Sequence, residues 1–313
     1  MESVQLPSQF LDRLQNVIPA REWDSVLKSF DLKRGVSVRV NTLKAGIKDA
    51  AAIFQSRGIK ALPVSWCPEA FVLAGAGGRT VSDDALVQEG KIYIQSLPSM
   101  LPAVVMGPEP GENILDLCAA PGSKTSQMAA RMKNEGWITA VEAVKDRMYK
   151  LKSVLSLLGV TNVSIKLMDG RQFRPQGGLF DKILVDAPCS SEGRFKISDK
   201  KSFQYWSLRK IKEMVQKQRG LLLNASRLFK PGGVLVYSTC TFAPEENEGV
   251  VDWLLRKSKE RLAILPVEIP GVQTYPAVQK WQEKSFSADV RHCFRVLPNE
   301  IMEGFFITKV TKL

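Results

Sequence analysis

The chain has 313 residues, 44% of them hydrophobic, which is enough to bury the core of one large domain with a smaller one attached. Its five cysteines are widely spaced and His292 is the only histidine, so neither a disulfide framework nor a structural zinc site is expected. No apolar run approaches the roughly 20 residues that cross a bilayer, and the net charge of +12 favours a polyanion as the partner.

The first hundred residues predict a small α+β module, because short helical patterns mix with alternating, β-rich runs. We expect helices at Phe10–Val17, Trp23–Phe30 and Ile47–Arg57, and strands at Val36–Asn41, Ala61–Ser65 and Ala70–Ala74. The boundary is placed between Gly77 and Gly107, with Tyr93–Met100 as a bridge. Residues 1–90 are therefore assigned to the first domain with its linker, and residues 91–313 to the second.

From about Gly111 onward, apolar runs alternate with longer helical patterns, which is typical of a parallel sheet with crossover helices. The expected strands are Asn113–Cys118, Ile138–Glu142, Val163–Met168, Lys182–Asp186 and Val234–Ser238. The expected helices are Ser123–Arg131, Lys145–Leu158, Leu208–Phe229 and Glu246–Lys259. The second domain is thus predicted to be α/β, with a doubly wound, Rossmann-like sheet.

The C-terminal third adds three further expectations. The turn Lys230–Gly233 contains a proline and two glycines and is expected to end the long helix. The segment Ile264–Ser287 is punctuated by prolines and is expected to be irregular. The β-rich runs Phe294–Leu297 and Phe305–Val310 predict an antiparallel hairpin at one edge of the sheet.

The segment Asp116–Thr125 joins the first core strand to the first core helix and predicts a cofactor loop. It is neither a P-loop, because position 123 is serine, nor a G-x-G-x-x-G dinucleotide loop, so ATP hydrolysis and hydride transfer are disfavoured. The helix start suits an amino-acid carboxylate, and Glu142 after the second strand suits ribose hydroxyls. Asp169, after the third strand, suits an adenine amino group. Together these features predict S-adenosylmethionine as the cofactor.

Two cysteines, Cys189 and Cys240, each follow an apolar run that predicts a strand. Loops at the carboxyl ends of parallel strands form the ligand crevice, so both thiols are expected to face one substrate. A pair of thiols indicates covalent chemistry with separate tasks for attack and release. For Cys118 and Cys293, by contrast, an inert buried thiol is the ordinary expectation.

The stretch Arg194–Arg219 contains nine Lys or Arg against two acidic residues, a net charge of +7. A nucleic-acid backbone is the usual partner of such a surface, although a solvated helix face has the same composition. Four aromatic residues lie among these cations and suit single-stranded nucleic acid or, alternatively, ordinary core packing. They are Phe195, Phe203, Tyr205 and Trp206.

Four segments together resemble the Sun (Fmu) family of RNA cytosine-5 methyltransferases, and the resemblance runs from about residue 35 to the end of the chain. They are Arg39–Lys44, Asp116–Thr125, Asp186–Ser190 and Tyr237–Thr241. The resemblance implies that Cys240 is the nucleophile, that Cys189 assists product release and that Asp186 positions the base. It also implies an RNA-docking role for the N-terminal module with Arg39 and Asn41, while Arg194 and Lys196 in the basic stretch are expected to contact RNA.

The same resemblance implies which residues hold S-adenosylmethionine. They are Cys118, Ala119, Ala120, Pro121, Gly122, Ser123, Lys124, Glu142, Arg147, Asp169 and Asp186. Two positions depart from the pattern of the family. Ser123 replaces a frequent glycine, which is a small-for-small change. Ser190-Ser191 replaces the more common Ser-Gly after Pro-Cys, which is expected to alter the loop beside Cys189 without removing the thiol.

Three other functions compete with this one. A DNA cytosine-5 methyltransferase would exchange the roles of Cys189 and Cys240. A zinc deaminase needs Pro-Cys-x-x-Cys, and residue 192 is glutamate. A non-catalytic RNA-binding protein on this scaffold would not bind the cofactor.

We therefore predict an RNA cytosine-5 methyltransferase, with ribosomal RNA as the first choice of substrate and transfer RNA as the second. The expected protein is a cytoplasmic monomer that needs neither a metal nor a membrane.

Overall fold

The computed structural model describes residues 5–75 and 78–313, so the first four residues of the predicted first domain and Gly77 of its predicted boundary lie outside the described residues.

The smaller of two main sheets has four antiparallel strands in the order β2-β3-β1-β4. The first part of the chain contains α1 Ser8–Gln15, α2 Trp23–Ser29, β1 Val36–Val40, α3 Ile47–Ser56, β2 Ala61–Pro63, β3 Ala70–Leu73, α4 Gly78–Ser82, α5 Ala85–Gln88 and β4 Ile92–Ile94. The predicted strands and helices are confirmed to within a few residues, and pairing of β4 with β1 extends this sheet just past residue 90.

The first two helices pack away from the small sheet. Phe10 of α1 and Phe30 after α2 join a cluster with Phe195 and Phe242 from the second half of the chain. The Phe10 ring centroid lies 4.9 Å from that of Phe195. The apolar faces of these helices are therefore buried against the segments that follow the strands of Cys189 and Cys240 in the larger sheet. These residues are too distant in sequence for local patterns to predict the contact.

The larger sheet has nine strands in the order β11-β14-β15-β9-β8-β5-β6-β7, with β10 paired to β15. Its elements are α6 Leu97–Met106, β5 Asn113–Asp116, α7 Ser123–Arg131, β6 Trp137–Glu142, α8 Lys145–Leu157, β7 Val163–Leu167, β8 Phe180–Asp186, α9 Leu208–Ala225, β9 Phe229–Thr239, α10 Glu248–Lys257, β10 Leu262–Leu265, β11 Tyr275–Pro276, β14 Phe294–Val296 and β15 Phe305–Lys312. A separate hairpin comprises β12 Lys280–Trp281 and β13 Lys284–Ser285. Strands β5 to β9 are parallel, which confirms the doubly wound α/β prediction.

Helices cover both faces of this sheet. One core cluster joins α9 and α10 to the sheet through Leu222 and Leu254. A second cluster joins α6 and α7 to the opposite face through Leu101 and Met128. This three-layer arrangement buries most of β8 and the C-terminal half of β9 on both faces, which explains the nearly continuous apolar runs of these strands.

The C-terminal hairpin forms as predicted, but its position in the sheet differs from the prediction. β15 pairs with β9 along one side and with β14 and β10 along the other, so it lies inside the sheet rather than at an edge. The strand is long and mostly buried, which leaves it no solvated edge. The segment 264–287, expected to be irregular, supplies the end of β10 and the short strands β11, β12 and β13.

The long helix α9 ends at Ala225, before the predicted end at Phe229. Leu228 and Phe229 are buried, and Phe229 already pairs with Phe180 of β8. The turn Lys230–Gly233 therefore lies within the irregular start of β9, where the register against β8 shifts, and does not terminate the helix. Tertiary burial of Phe229 overrides the local helical pattern at this point.

Candidate active site

Four loops leave the larger sheet at the carboxyl ends of β5, β6, β8 and β9 and carry most of the predicted site residues. β5 lies between β6 and β8, so successive strands are added on opposite sides of it. In an open α/β sheet the ligand crevice lies outside the strand ends at such a reversal. The loop after β5, the loop of Cys189 and the loop of Cys240 are therefore brought to one crevice.

The loop after β5 is anchored by Asp116, which is buried at the strand end. Asp116 Oδ2 accepts a hydrogen bond from Thr125 Oγ1 at 2.8 Å, and Oδ1 accepts one from the Cys118 N–H at 3.3 Å. Burial raises the pKa of Asp116 to about 6. Gly122 precedes α7 with a φ of 109°, a conformation that favours glycine. No side chain caps α7 within the described residues, so its first N–H groups suit an anionic ligand.

Glu142 and Arg147 lie on the second loop and contact the first. Glu142 is buried at the end of β6, and its Oε1 accepts a hydrogen bond from the Val144 N–H at 2.9 Å. Arg147 Nη1 lies 3.7 Å from the same oxygen, while Nη2 donates to the Ala120 carbonyl at 2.8 Å. Arg147 therefore connects Glu142 to the predicted cofactor loop.

Asp169 follows β7, the next strand along the sheet, and lies within the predicted cofactor region. Its carboxylate forms an ion pair with Arg171, with Nη2 and Oδ2 2.5 Å apart. Hydrogen bonds from Arg171 lower the pKa of Asp169. The carboxylate is thus held in one orientation at the strand end.

Asp186 ends β8 and connects the cofactor loop to the strand that carries Cys240. Its Oδ2 lies 2.7 Å from Lys124 Nζ, and its Oδ1 accepts a hydrogen bond from Ser238 Oγ at 2.7 Å. Lys124 Nζ also donates to Ser99 Oγ at 2.7 Å. The Asp186 side chain is 27% exposed, so the carboxylate remains accessible from the crevice.

The two cysteines meet in this crevice. Cys189 Sγ and Cys240 Sγ lie 3.3 Å apart although 51 residues separate them in sequence, and both thiols are free. The hydrogen bond between them raises the pKa of Cys189 and lowers the pKa of Cys240. The positive charge of Arg194 also lowers the pKa of Cys240. These shifts favour ionisation of Cys240 over Cys189, and once Cys240 is ionised the Cys189 thiol donates to its thiolate.

Ser191, one of the two departures from the family pattern, lies beside both sulfurs. Its φ of 60° is in the left-handed region that favours glycine. Its Oγ is 3.6 Å from Cys240 Sγ and 3.9 Å from Cys189 Sγ. The serine therefore keeps the backbone conformation of a glycine turn and adds a hydroxyl next to the thiol pair.

Two buried glutamates join the cysteine loops to each other, a role that the sequence patterns did not predict. Glu192, on the Cys189 side, has an Oε2 that accepts hydrogen bonds from Thr241 Oγ1 at 2.9 Å and the Phe242 N–H at 3.0 Å. Its Oε1 accepts one from Trp206 Nε1 at 2.8 Å. The carboxylate thus fixes the loop of Cys240 relative to the loop of Cys189.

Glu246 makes the reciprocal connection from the Cys240 side. Its Oε2 accepts hydrogen bonds from the Ser190 N–H at 3.0 Å and from Gln218 Nε2 at 2.8 Å. The predicted helix began at this residue, whereas α10 begins at Glu248 and leaves Glu246 in the preceding loop. A sequence signal was present, because three glutamates fall within Glu245–Glu248, directly after an apolar strand.

Glu246 makes the stability of the protein depend on pH. Burial raises its pKa from 4.5 to about 8, so the folded chain retains a proton that the unfolded chain loses. The stabilisation is complete below the unfolded pKa and is lost as the pH rises through the folded one. Between pH 7 and pH 9 we expect the wild type to lose about 1.4 kcal/mol more unfolding free energy than Glu246→Gln. Urea unfolding at both pH values measures the difference, and equal losses would contradict the assignment.

Comparisons with known proteins identify the family. A family model described as 16S rRNA methyltransferase RsmB/F matches residues 103–311. A model of the N-terminal domain of 16S rRNA methyltransferase RsmF matches residues 6–97. This chain belongs to the RsmB/F methyltransferase family. The predicted family resemblance and the methyltransferase fold are thereby confirmed.

The relatives of this RsmB/F chain are named for different RNA substrates. The tRNA (cytosine(49)-C(5))-methyltransferase of Pyrococcus abyssi is 39% identical, with 88% of each chain covered. The ribosomal RNA small subunit methyltransferase F of Klebsiella pneumoniae is 38% identical over 85% of this chain but only 57% of its own length. A solved methyltransferase homolog from Pyrococcus horikoshii has a TM-score of 0.86 and 32% identity, covering 99% of this chain and 96% of its own. The chain thus spans little more than half of that bacterial relative.

Arg39 and Asn41, expected to contact RNA, are instead buried within the RsmB/F chain, each with 1% exposure. Arg39 Nη2 donates to Ser126 Oγ at 2.8 Å. Asn41 Nδ2 donates to the carbonyls of Gly90 and Leu158, both at 2.8 Å. This placement corrects the expectation, because both side chains hold the first part of the chain against the helices α7 and α8 and present no surface to a ligand.

Arg194 and Lys196 are exposed beside the cysteine crevice. The aromatic residues of the same basic stretch divide into two groups. Phe195 and Phe203 are buried in the core with α1, which confirms the packing alternative for them, whereas Tyr205 is 81% exposed. Trp206 is half-buried against Glu192.

Neither a metal centre nor a membrane segment is evident in the part of the chain that the structure describes. Residues 5–75 and 78–313 contain no cluster of three His, Cys, Asp or Glu side chains arranged to hold a metal ion. Among the same residues, no helix has both the length and the apolar character needed to span a bilayer.

Proposed function

We propose that this RsmB/F chain transfers a methyl group from S-adenosylmethionine to C5 of a cytosine in RNA, through a covalent bond between Cys240 and C6 of the base. The observation that carries the proposal is the 3.3 Å contact between Cys189 and Cys240, next to Asp186 at the ends of adjacent parallel strands. Two thiols with opposite pKa shifts suit a reaction in which one attacks and the other remains protonated.

The chemistry of cytosine explains why a thiolate is needed. C5 is too poor a nucleophile to accept a methyl group unaided. Addition of the Cys240 thiolate at C6 would form the S–C6 bond and move the C5=C6 electron pair to C5. C5 could then take the methyl group from S-adenosylmethionine, whose S–CH3 bond would break to leave S-adenosylhomocysteine. The C5 proton is then lost to solvent, the electron pair of the C5–H bond re-forms the C5=C6 double bond, the S–C6 bond breaks, and the Cys240 thiolate is restored.

Asp186 and Cys189 act around this cycle. The accessible carboxylate of Asp186 suits the N3 and N4 edge of the base, which it would hold while Lys124 and Ser238 fix its orientation. The Cys189 thiol stabilises the Cys240 thiolate before attack and again as the sulfur leaves C6. It therefore favours release of the methylated base.

The cofactor fits the residues of the crevice. The uncapped start of α7 suits the amino-acid carboxylate of S-adenosylmethionine, and the buried carboxylate of Glu142 suits the ribose hydroxyls. Residues 118–124, Arg147, Asp169 and Asp186 complete the predicted binding set. Arg147 supports this region through its contacts with Glu142 and the Ala120 carbonyl.

Glu142→Ala tests the cofactor assignment. Removal of a carboxylate that accepts ligand hydroxyls is expected to weaken S-adenosylmethionine binding by at least about tenfold, or about 1.4 kcal/mol. Calorimetric titration measures the loss. Glu135→Ala, at an exposed position before β6, is the matched control and should bind as the wild type does. Equal affinity of the two variants for S-adenosylmethionine would show that Glu142 does not bind the cofactor.

RNA is proposed to enter beside the crevice along exposed cations. A second cleft of about 300 Å³ is lined by Lys33, Arg34 and Lys196 together with Pro98. Pro98 precedes Ser99, which contacts the Lys124 side chain beside Asp186. Phosphate contacts from Arg194 and Lys196 would offset the cost of unstacking the target base, which is a few kcal/mol.

Ribosomal RNA is our first choice of substrate and transfer RNA the second, supported by the description of the matching family and by the archaeal relative respectively. Bisulfite sequencing of RNA from cells with and without this protein distinguishes them. We expect one cytosine that resists conversion in the normal cells to become convertible in the deficient cells. An unchanged pattern in all RNA classes would contradict the proposed activity.

A further inference from the structure

A cavity of about 520 Å³ lies between α9, the segment that precedes α10 and the hairpin β12–β13. We call it the α9 cavity. Its lining contains neither cysteine of the pair nor any residue of the loop after β5, so it is separate from the catalytic crevice. None of the reaction steps proposed above uses it.

The wall of the α9 cavity is apolar on two sides. Leu208, Ile211 and Val215 recur at helical spacing along one face of α9. Trp281 and Phe286 contribute aromatic rings from the hairpin and the residue that follows it. Each ring already has one cation over it, Arg13 at 5.0 Å from the Trp281 centroid and Lys284 at 5.2 Å from the Phe286 centroid. Such a wall suits a flat, partly apolar group such as a nucleobase.

Cations surround this apolar wall. The lining cations are Arg13, Lys212, Arg219 and Lys284. Glu245 is neutralised by Arg13 at 2.7 Å, and Lys284 shares its acidic partner Asp252 with a second cation, Arg256. Lys212 and Arg219 have no acidic partner among the described residues. The cavity therefore keeps a net positive charge that favours an anionic group.

Two donors in the cavity lining lack an acceptor. Trp281 Nε1 and Arg219 Nε are buried and form no hydrogen bond within the described residues. Trp281 as a whole is only 8% exposed. An orphaned buried donor is costly, so both residues carry an unsatisfied group at the wall of the cavity.

The α9 cavity is connected to the catalytic loops through the same helix. Gln218, next to Arg219, donates from Nε2 to the Pro188 carbonyl at 2.9 Å and to Glu246 Oε2 at 2.8 Å. Glu245 in the cavity lining is adjacent to Glu246. The α9 cavity and the catalytic loops are therefore supported by the same helix and by the same loop before α10.

We propose that the α9 cavity binds an unpaired nucleotide of the RNA substrate other than the target cytosine. The base stacks against the aromatic wall, and a phosphate pairs with Lys212 and Arg219. This inference rests on the proposed RNA substrate and adds to it a second contact point, which selects RNA that is single-stranded on one side of the target.

The test follows the side chain of Trp281 directly. The full chain is labelled with 5-fluorotryptophan, and Trp281→Phe assigns the Trp281 signal in the fluorine NMR spectrum. Titration with a single-stranded oligocytidine RNA is expected to shift this signal.

Lys212→Glu is expected to weaken RNA binding about tenfold at low salt. It is also expected to lower the slope of log affinity against log salt concentration by about 1. Lys259→Glu, the same charge change at an exposed site after α10, should leave both unchanged.

Each contrary outcome overturns the inference in a recognisable way. A Trp281 signal that stays fixed while the protein still methylates the RNA overturns the second site alone and leaves the proposed function intact. A signal that shifts with protein concentration in the absence of RNA assigns the cavity to a second copy of the chain. Failure to bind any RNA overturns both the second site and the proposed function.

Discussion

Cys240→Ala is expected to abolish methyl transfer, lowering the rate by at least about 1000-fold, which corresponds to about 4 kcal/mol of transition-state stabilisation. Without the thiolate no S–C6 bond forms, so no RNA should remain attached to this variant on a denaturing gel. Cys189→Ala is expected to behave differently. It retains the nucleophile, methylates the base once and then stalls with RNA attached through Cys240, because the second thiol no longer assists release.

Cys293→Ala is the matched control for these two variants. Cys293 is a buried thiol outside the crevice, and its removal should change neither the rate nor the gel pattern beyond any loss of stability. Loss of methyl transfer in Cys189→Ala with activity retained in Cys240→Ala would exchange the two roles, as in a DNA cytosine-5 methyltransferase. Identical behaviour of both variants would contradict the separate roles of Cys240 in attack and Cys189 in release.

Glu192→Ala is expected to destabilise the fold by about 3 kcal/mol or more. The substitution leaves the donors of Thr241, Phe242 and Trp206 without their acceptor, and each orphaned buried donor costs about 1–3 kcal/mol. It also releases the loop of Cys240 from that of Cys189. Urea unfolding measures the stability, and the alkylation rate of Cys240, followed by peptide mass spectrometry, measures the loosened thiol pair.

Glu192→Gln provides a graded comparison. Its amide oxygen can still accept from Thr241 and Phe242, but its amide nitrogen then faces the Trp206 donor, so a loss of about 1–2 kcal/mol is expected. In a Trp206→Phe background this donor is absent, and Glu192→Gln should cost less than it does in the wild type. If Glu192→Gln lowers the free energy of unfolding equally in the wild type and in the Trp206→Phe background, Glu192 does not position the loops as described.

Local sequence patterns predicted the parallel core well. Strands β5 to β8 and helices α7 and α8 were located to within a few residues, because alternating or continuous apolar runs and the turns between them are local signals. The end of β9 was located equally well, but its start was placed at Val234 and lies at Phe229. The same strand ends placed Cys189, Cys240 and the loop after β5 in one crevice. That inference needs only the rule that parallel strands share a carboxyl edge.

Features set by distant contacts could not be predicted in this way. Arg39 and Asn41 are polar residues in a short strand, and their burial depends on helices far along the chain. Phe229 ends the long helix early because it pairs with β8. Glu192 resembles a surface residue and Glu246 the start of a helix in the sequence, yet each accepts hydrogen bonds from the opposite cysteine loop. Only the assembled sheet brings their partners within reach.

The most direct test of the account uses the wild-type protein and RNA in which the target cytosine is replaced by 5-fluorocytosine. Fluorine at C5 cannot leave as a proton does, so the S–C6 bond persists after methyl transfer. Because the wild type retains both cysteines, either thiol is available to attack the base. Digestion with nuclease and protease followed by mass spectrometry locates the modified nucleotide. We predict that this nucleotide is attached to Cys240. Attachment to Cys189, or to no peptide at all, would contradict the role of Cys240 as the nucleophile.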